Sequence, residues 1–148
     1  ASVAVASFTC GTTGYVPNDV VGGALAFSGL CPAGAGEWEV TSGALEIDTN
    51  ALISGETSYR LYLYNVPPPS AVADSGAWDL PSGDRASFLG YIDLGTPADL
   101  GSTLYVEQNG LVKQITTLGT DIFGYLISNG TYTPTARLFK ITLHTRRA

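Results

Sequence analysis

Nucleophilic catalysis needs a serine, threonine or cysteine beside a base, most often histidine. The one histidine of this chain is His144, on the polar side of an alternating segment and beside Arg146 and Arg147. That is the pattern of a surface histidine. Glycoside hydrolysis needs two carboxylates across a cleft. Asp74, Asp79 and Asp84 share a loop with Trp78 and are the place to look, yet acids are ordinary loop residues. Their spacing also departs from that of an EF-hand calcium loop. Cys10 and Cys31, with a single histidine, do not make up a zinc site. A disulfide between them would close about twenty residues and stabilise by about 3 kcal/mol. Without a secretion signal, reduced and buried thiols are expected. Gly11-Thr12-Thr13-Gly14 and Gly22-Gly23 lack the following Lys-Ser/Thr of a phosphate cradle. Asn129-Gly130-Thr131 matches the glycosylation triplet, which a cytosolic product would not carry modified. No cofactor, no metal and no enzymatic activity are expected from these residues.

Surfaces offer more than sites. Charged residues are 14% of the chain against 45% hydrophobic ones. The chain is thus too apolar for disorder, and so poor in charge that part of its surface is expected to be covered. Residues 1–59 hold no Lys or Arg but six acids, Asp19, Glu37, Glu39, Glu46, Asp48 and Glu56. Arg137, Lys140, Arg146 and Arg147 lie in the last twelve positions, which contain no acid. The front is therefore acidic and the tail basic, with a net charge of −6. Acidic surface repels phosphate backbones, so nucleic acid is not an expected partner, while the tail could meet an acidic protein surface. No apolar run approaches the roughly 20 residues that span a bilayer. Ala1-Ser2-Val3-Ala4 lacks the basic start of a signal peptide, so secretion by that route is not expected. Among the eight tyrosines and two tryptophans, Trp38, Trp78 and Tyr132 are candidates for exposed contact with sugars or protein.

Strand signals supply the framework. They fall near 3–8, 20–27, 37–48, 58–64, 87–94, 102–107, 111–117, 122–128 and 137–145, which predicts an all-β antiparallel β-sandwich of about 8–9 strands. Phe139, Ile141 and Leu143 alternate with Lys140, Thr142 and His144, the mark of a half-buried strand. Tyr59-Arg60-Leu61-Tyr62-Leu63-Tyr64 is apolar on both faces except at Arg60, so it should be covered on both and its hydroxyls should find partners. Asn109-Gly110 predicts a hairpin between 102–107 and 111–117. Pro67-Pro68-Pro69 opens a long loop that runs through Asp84, and little helix is expected. Residues 1–20, punctuated by Gly11, Gly14 and Pro17, are expected to form an extended arm ahead of a single domain at 21–148.

The tyrosine strand is followed by Pro67-Pro68, Asp74-Ser75-Gly76-Ala77-Trp78, Gly83-Asp84 and Phe88-Leu89-Gly90, and preceded by Gly14-Tyr15-Val16-Pro17-Asn18-Asp19-Val20-Val21-Gly22. In this pattern, over most of its length, the chain resembles the small accessory head proteins of tailed bacteriophages, which decorate or cement capsids. The resemblance implies a jelly-roll-like sandwich on the capsid exterior, made in the host cytoplasm and bridging subunits of the major capsid protein. It also implies a homo-oligomer, with a trimer ahead of a dimer. Tyr15, Val16 and Pro17 of the arm, the aromatics Trp38, Trp78 and Tyr132, and the tail residues Arg146 and Arg147 are the interface candidates. The alternative is a receptor- or carbohydrate-binding module of a phage head or tail fibre, using Trp78 and the nearby acids.

Overall fold

A computed structural model describes residues 2–148. Ten strands form in the order β1 (Ser2–Thr9), β2 (Asp19–Phe27), β3 (Gly36–Ile47), β4 (Tyr59–Tyr64), β5 (Phe88–Gly95), β6 (Ala98–Asp99), β7 (Leu104–Gln108), β8 (Lys113–Thr117), β9 (Ile122–Ser128) and β10 (Leu138–Arg147), with a 3₁₀ turn at Ser82–Asp84. One sheet runs β1-β10-β3-β7-β6, with β8 also on β3, and the other runs β2-β9-β4-β5. Every pairing is antiparallel. With β7 and β8 taken as one interrupted strand and the two-residue β6 set aside, the two sheets read 1-8-3-6 and 2-7-4-5, the strand order of a jelly roll.

Alternation decides which side chains meet between the sheets. Phe139, Ile141 and Leu143 of β10 and Leu45 and Ile47 of β3 point inward against Phe27, Leu61, Leu63 and Leu126 of the facing sheet, all in one core. β4 is buried on both sides: Tyr59, Leu61 and Leu63 belong to that core, while Tyr62 and Tyr64 join a second cluster with Val20, Tyr125 and Ile127. The loop between β4 and β5 crosses the outer face of the four-stranded sheet. Val72, Trp78 and Leu80 of that loop pack on the second cluster.

Two expectations need correction. The first twenty residues are not an arm, because β1 pairs with β10 through eight consecutive residues. Ala4 and Ala6 turn inward and are buried. Phe8 anchors the strand by stacking on Phe139, ring centroids 5.1 Å apart. Beyond β1, Cys10 N donates to Arg137 O, and Tyr15 exchanges backbone hydrogen bonds with Tyr132 at 2.8 and 3.1 Å. The domain therefore begins at β1 rather than at residue 21.

Asn109-Gly110 does not turn a hairpin either. β7 pairs with residues 43–47 of β3 and β8 with residues 36–40, so the two run in the same direction along one partner. Residues 109–112 bulge out between them, Gly110 takes the left-handed φ of 66°, and Leu111 N returns to Thr41 O at 2.9 Å. The local signal was that of a tight turn, but the length of β3 gave both halves the same neighbour.

Gly22 makes the anchoring of β1 possible. It sits in the bulge of β2 at φ 86°, with the Phe8 ring where a Cβ would stand. Gly22→Ala is expected to lower stability by about 2–4 kcal/mol, through left-handed backbone strain and displacement of Phe8. Urea unfolding measures it, and a change below about 0.5 kcal/mol, the range of neutral surface substitutions, would show that β1 is held some other way.

Candidate functional site

The residues expected at an interface divide sharply in the structure. Tyr15, Trp38 and Tyr132 are buried, so they are core and not exposed contacts. Trp38 donates from Nε1 to Gly34 O at 2.9 Å, and Arg147 lies over its ring at 5.4 Å. Trp78 is half-buried, edge-on to Tyr62 at 4.3 Å, and donates from Nε1 to Tyr64 Oη at 3.0 Å. Val16, Pro17, Arg146 and Arg147 remain exposed. Arg146 is paired with Glu39 at 2.8 Å across the bottom of β3 and β10. The other members of the basic tail differ in kind: Lys140 makes an exposed pair with Glu46 at 3.6 Å, while Arg137 is fully interior.

Arg137 belongs to a buried polar cluster at the end of the sandwich where β1, β3 and β9 finish. Its guanidinium meets Glu56 in a two-pronged pair, Nη1 to Oε1 at 3.0 Å and Nη2 to Oε2 at 2.7 Å. Tyr59 donates to Glu56 Oε2 and also contacts the Tyr132 hydroxyl, while Ile53 N donates to Glu56 Oε1 at 3.0 Å. Tyr15 stands edge-on to Tyr132 and donates to Asp74 Oδ1 at 2.6 Å. Asp74 also accepts from Gly11 N at 2.9 Å and Gly22 N at 2.7 Å.

Electrostatics follow from this burial. For Arg137, burial alone would lower the pKa, but the Glu56 carboxylate outweighs it and holds the guanidinium firmly charged. Burial raises Tyr15, Tyr59 and Tyr132 well above the ordinary phenol range; the Asp74 hydrogen bond adds for Tyr15, and the Tyr132 and Glu56 charges add for Tyr59. Burial, with Asp121 nearby, pushes the Cys31 thiol up to about 11. Cys10 and Cys31 are both free thiols.

Of the three acids singled out for sugar chemistry, Asp74 and Asp84 are committed to internal work, while Asp79 is exposed. Asp74 is occupied as described, and Asp84 accepts from Ser70 N and Oγ at 3.1 and 3.2 Å. One arrangement escaped the sequence reading: Ser42 Oγ lies 3.1 Å from His144 Nδ1 on the outer face of β3 and β10. In a Ser–His–Asp triad a carboxylate orients the imidazole. Among the described residues no carboxylate hydrogen-bonds His144, whose ring is exposed. Nothing in linear spacing could have revealed it, since 102 positions separate the two residues.

What remains open is a surface. Among the described residues no loop packs on the outer face of the β1-β10-β3-β7 sheet, where Val5, Lys140, His144 and Glu107 are exposed, unlike that of its counterpart. Register places Val5, Thr142, Ala44 and Glu107 in one row across it. Small side chains floor a shallow groove of about 150 Å³ lined by Ser42, Ala44, Tyr105, Glu107, Thr142 and His144. That is below the roughly 300–1,000 Å³ of small-molecule sites. Val3, Val5 and Leu138 stand exposed beside it.

No protein-family model and no curated protein matches the chain. Among solved structures it is similar to a chain of the cyanophage Pam1 capsid asymmetric unit at 16% identity, over 97% of this chain and 81% of that one, with a TM-score of 0.40. It is similar also to a chain of mud crab dicistrovirus (13% identity, 97% and 68% covered, TM-score 0.34) and to one of black queen cell virus (7%, 95% and 67%, TM-score 0.37). With TM-scores this low, none of the three bears on what this chain does.

The buried cluster makes two testable statements. Glu56→Gln leaves Arg137 charged and unpaired in the interior, and is expected to cost about 3–5 kcal/mol in denaturant unfolding. Loss of less than about 1 kcal/mol would mean that water reaches the guanidinium. The second concerns alkali. An unfolded thiol ionises near pH 8.5 and an unfolded phenol near pH 10, while the folded Cys31, Tyr15, Tyr59 and Tyr132 still hold their protons. The unfolded state then binds fewer protons, so stability should fall as pH rises through that range, by about 1.4 kcal/mol per pH unit for each group. Thermal unfolding between pH 7 and 11 tests it, and a flat profile would contradict the burial of these groups.

Proposed function

We propose that the chain is a structural virion protein that decorates and stabilises the outside of a bacteriophage capsid, bridging subunits of the major capsid protein. The observation that carries this reading is the contrast between the two sheets. One outer face is covered by the chain's own tryptophan loop, with Trp78, Val72 and Leu80 packed down. The other is left bare, with Val3, Val5 and Leu138 exposed around a floor of small residues. Exposed apolar residues around small ones suit burial against a protein surface.

The tryptophan loop also gives a physical sense to the residues through which the chain resembles accessory head proteins. Asp74-Ser75-Gly76-Ala77-Trp78 is the segment that pins this loop, since Asp74 takes three hydrogen bonds and Trp78 N donates to Asn18 O at 3.0 Å. A rigid sandwich with one face covered from Val72 to Leu80, and open toward Tyr91, presents the other face to the shell. Weak contacts per copy suffice, because many copies on an icosahedral lattice act together.

Purified protein mixed with undecorated particles of the encoding phage should sediment with them at a fixed number of copies per capsid. Ala44→Arg, which fills the groove floor from outside the core, is expected to reduce the bound copies at least tenfold while leaving thermal unfolding unchanged. Failure of the wild type to sediment with particles, or undiminished binding by folded Ala44→Arg, would overturn the proposal.

A further inference from the structure

Two sheets have four edges, here β1 and, opposite it, the side formed by β6, β7 and β8 on one, and β2 and β5 on the other. Proteins ordinarily blunt such edges with bulges, very short strands, charges or covering loops, because an open edge pairs with any strand it meets. Three of the four are treated in that way. β6 is two residues long, residues 109–112 bulge out between β7 and β8, and the five-residue β8 begins with the charge of Lys113. β5 carries two register shifts against β4, which pass over Leu94 and Leu89. β2 is bulged between Val21 and Leu25, and its backbone is already engaged: Val20 N donates to Gly76 O, Ser75 N to Val20 O and Gly22 N to Asp74 Oδ1.

β1 has none of these protections. Its sequence, Ser2-Val3-Ala4-Val5-Ala6-Ser7-Phe8-Thr9, contains no charge and no proline, and its register with β10 is unbroken. Among the described residues, no backbone hydrogen bond joins residues 2–9 to anything but β10. Val3 and Val5 lie 54% and 48% exposed on its outer side.

We propose that β1 is the strand through which two copies of this chain pair, antiparallel and about a two-fold axis, so that their sheets become continuous. The strand is complementary to itself. A register that sets Val3 of one copy against Val5 of the other places Ala4 on the axis and gathers four valines on one face. No ionisable side chain lies on either β1, so two chains of net charge −6 meet without opposed like charges at the join. The nearest basic strands, β10 of each copy, are three strand spacings apart, about 14 Å, beyond the roughly 8 Å over which physiological salt leaves charges unscreened. Pairing closes at two copies, because each β1 becomes interior and the remaining edges are blunted. A trimer joined by strands would need a second open edge of a different kind, and the fold leaves none, so the dimer replaces the trimer suggested by the resemblance.

Sedimentation velocity across a concentration series tests the pairing. The wild type should shift from one chain mass to two as concentration rises. Val5→Lys, an outward side chain that leaves the core untouched, should weaken association at least tenfold with unchanged thermal unfolding. A mixture of Val3→Cys and Val5→Cys proteins should cross-link under mild oxidation more than either alone. A wild type that stays single at every concentration, a trimer, or a folded Val5→Lys that associates normally would overturn the inference; the first result would assign the edge to a foreign strand. Particle attachment is read separately. A monomer that still decorates shells would sink only the pairing, and a dimer that ignores them only the decoration.

Discussion

A carboxylate and a guanidinium moved together out of water each lose several kcal/mol of hydration, recovered only when geometry is good and further hydrogen bonds use up the remaining lone pairs. Glu56 meets that condition in full, while Arg137 keeps one buried donor, Nε, without a partner. Both Glu56 oxygens accept from Arg137, one takes Ile53 N, and the other takes the Tyr59 hydroxyl. The pair joins the β3–β4 connection to the β9–β10 connection, and thereby one sheet to the other. Tyr132 extends it to Tyr15, and Tyr15 extends it to Asp74 in the tryptophan loop. Four connections far apart in sequence are thus fixed at one end of the sandwich. A jelly roll depends on such closure, because nearly every strand pairing is long-range and chain entropy favours opening the loops between.

The covering loop follows from this arrangement. It reaches the far end of the four-stranded sheet only because Asp74 is held there by Gly11, Gly22 and Tyr15. Once pinned, it lays Val72, Trp78 and Leu80 over Tyr62, Tyr64 and Tyr125, where Val72 N donates to the Tyr125 hydroxyl at 3.0 Å. Tyr62, Tyr64 and Tyr125 are thereby internal, while Tyr91, stacked on Tyr62, stays exposed at the border of the covered area. The outer residues of the opposite sheet make few commitments beyond the exposed Lys140–Glu46 pair and the Ser42–His144 contact.

Period-two patterning made the strands legible, because alternation reports burial residue by residue. The expected segments at 37–48, 58–64, 122–128 and 137–145 differ from β3, β4, β9 and β10 only near their ends. The antiparallel sandwich itself was legible for the same reason. Partnership between distant elements was not. The strand signal at 3–8 reads as part of an arm until Phe139 and Gly22 are brought beside Phe8. Asn109-Gly110 looks like a hairpin until β3 proves long enough to hold both flanks. Tyr15 and Tyr132 read as adhesive aromatics in loops, yet each is the other's packing partner. Arg137 read as tail charge, since composition cannot show a carboxylate 81 positions away.

Consistency between the two ends of the molecule bears on how it works. At the end with the buried ion pair, polar groups are spent inward and the connections are tied to one another. Along β1 nothing is spent: the strand offers backbone and valine, and no side chain that would discriminate by charge. Rigidity at the first place makes openness at the second affordable, because an edge strand fixed by Phe8 on Phe139 does not fray into a general aggregation site. Its exposed apolar residues stay few and its geometry stays single, which is what a surface needs in order to select one neighbour instead of many.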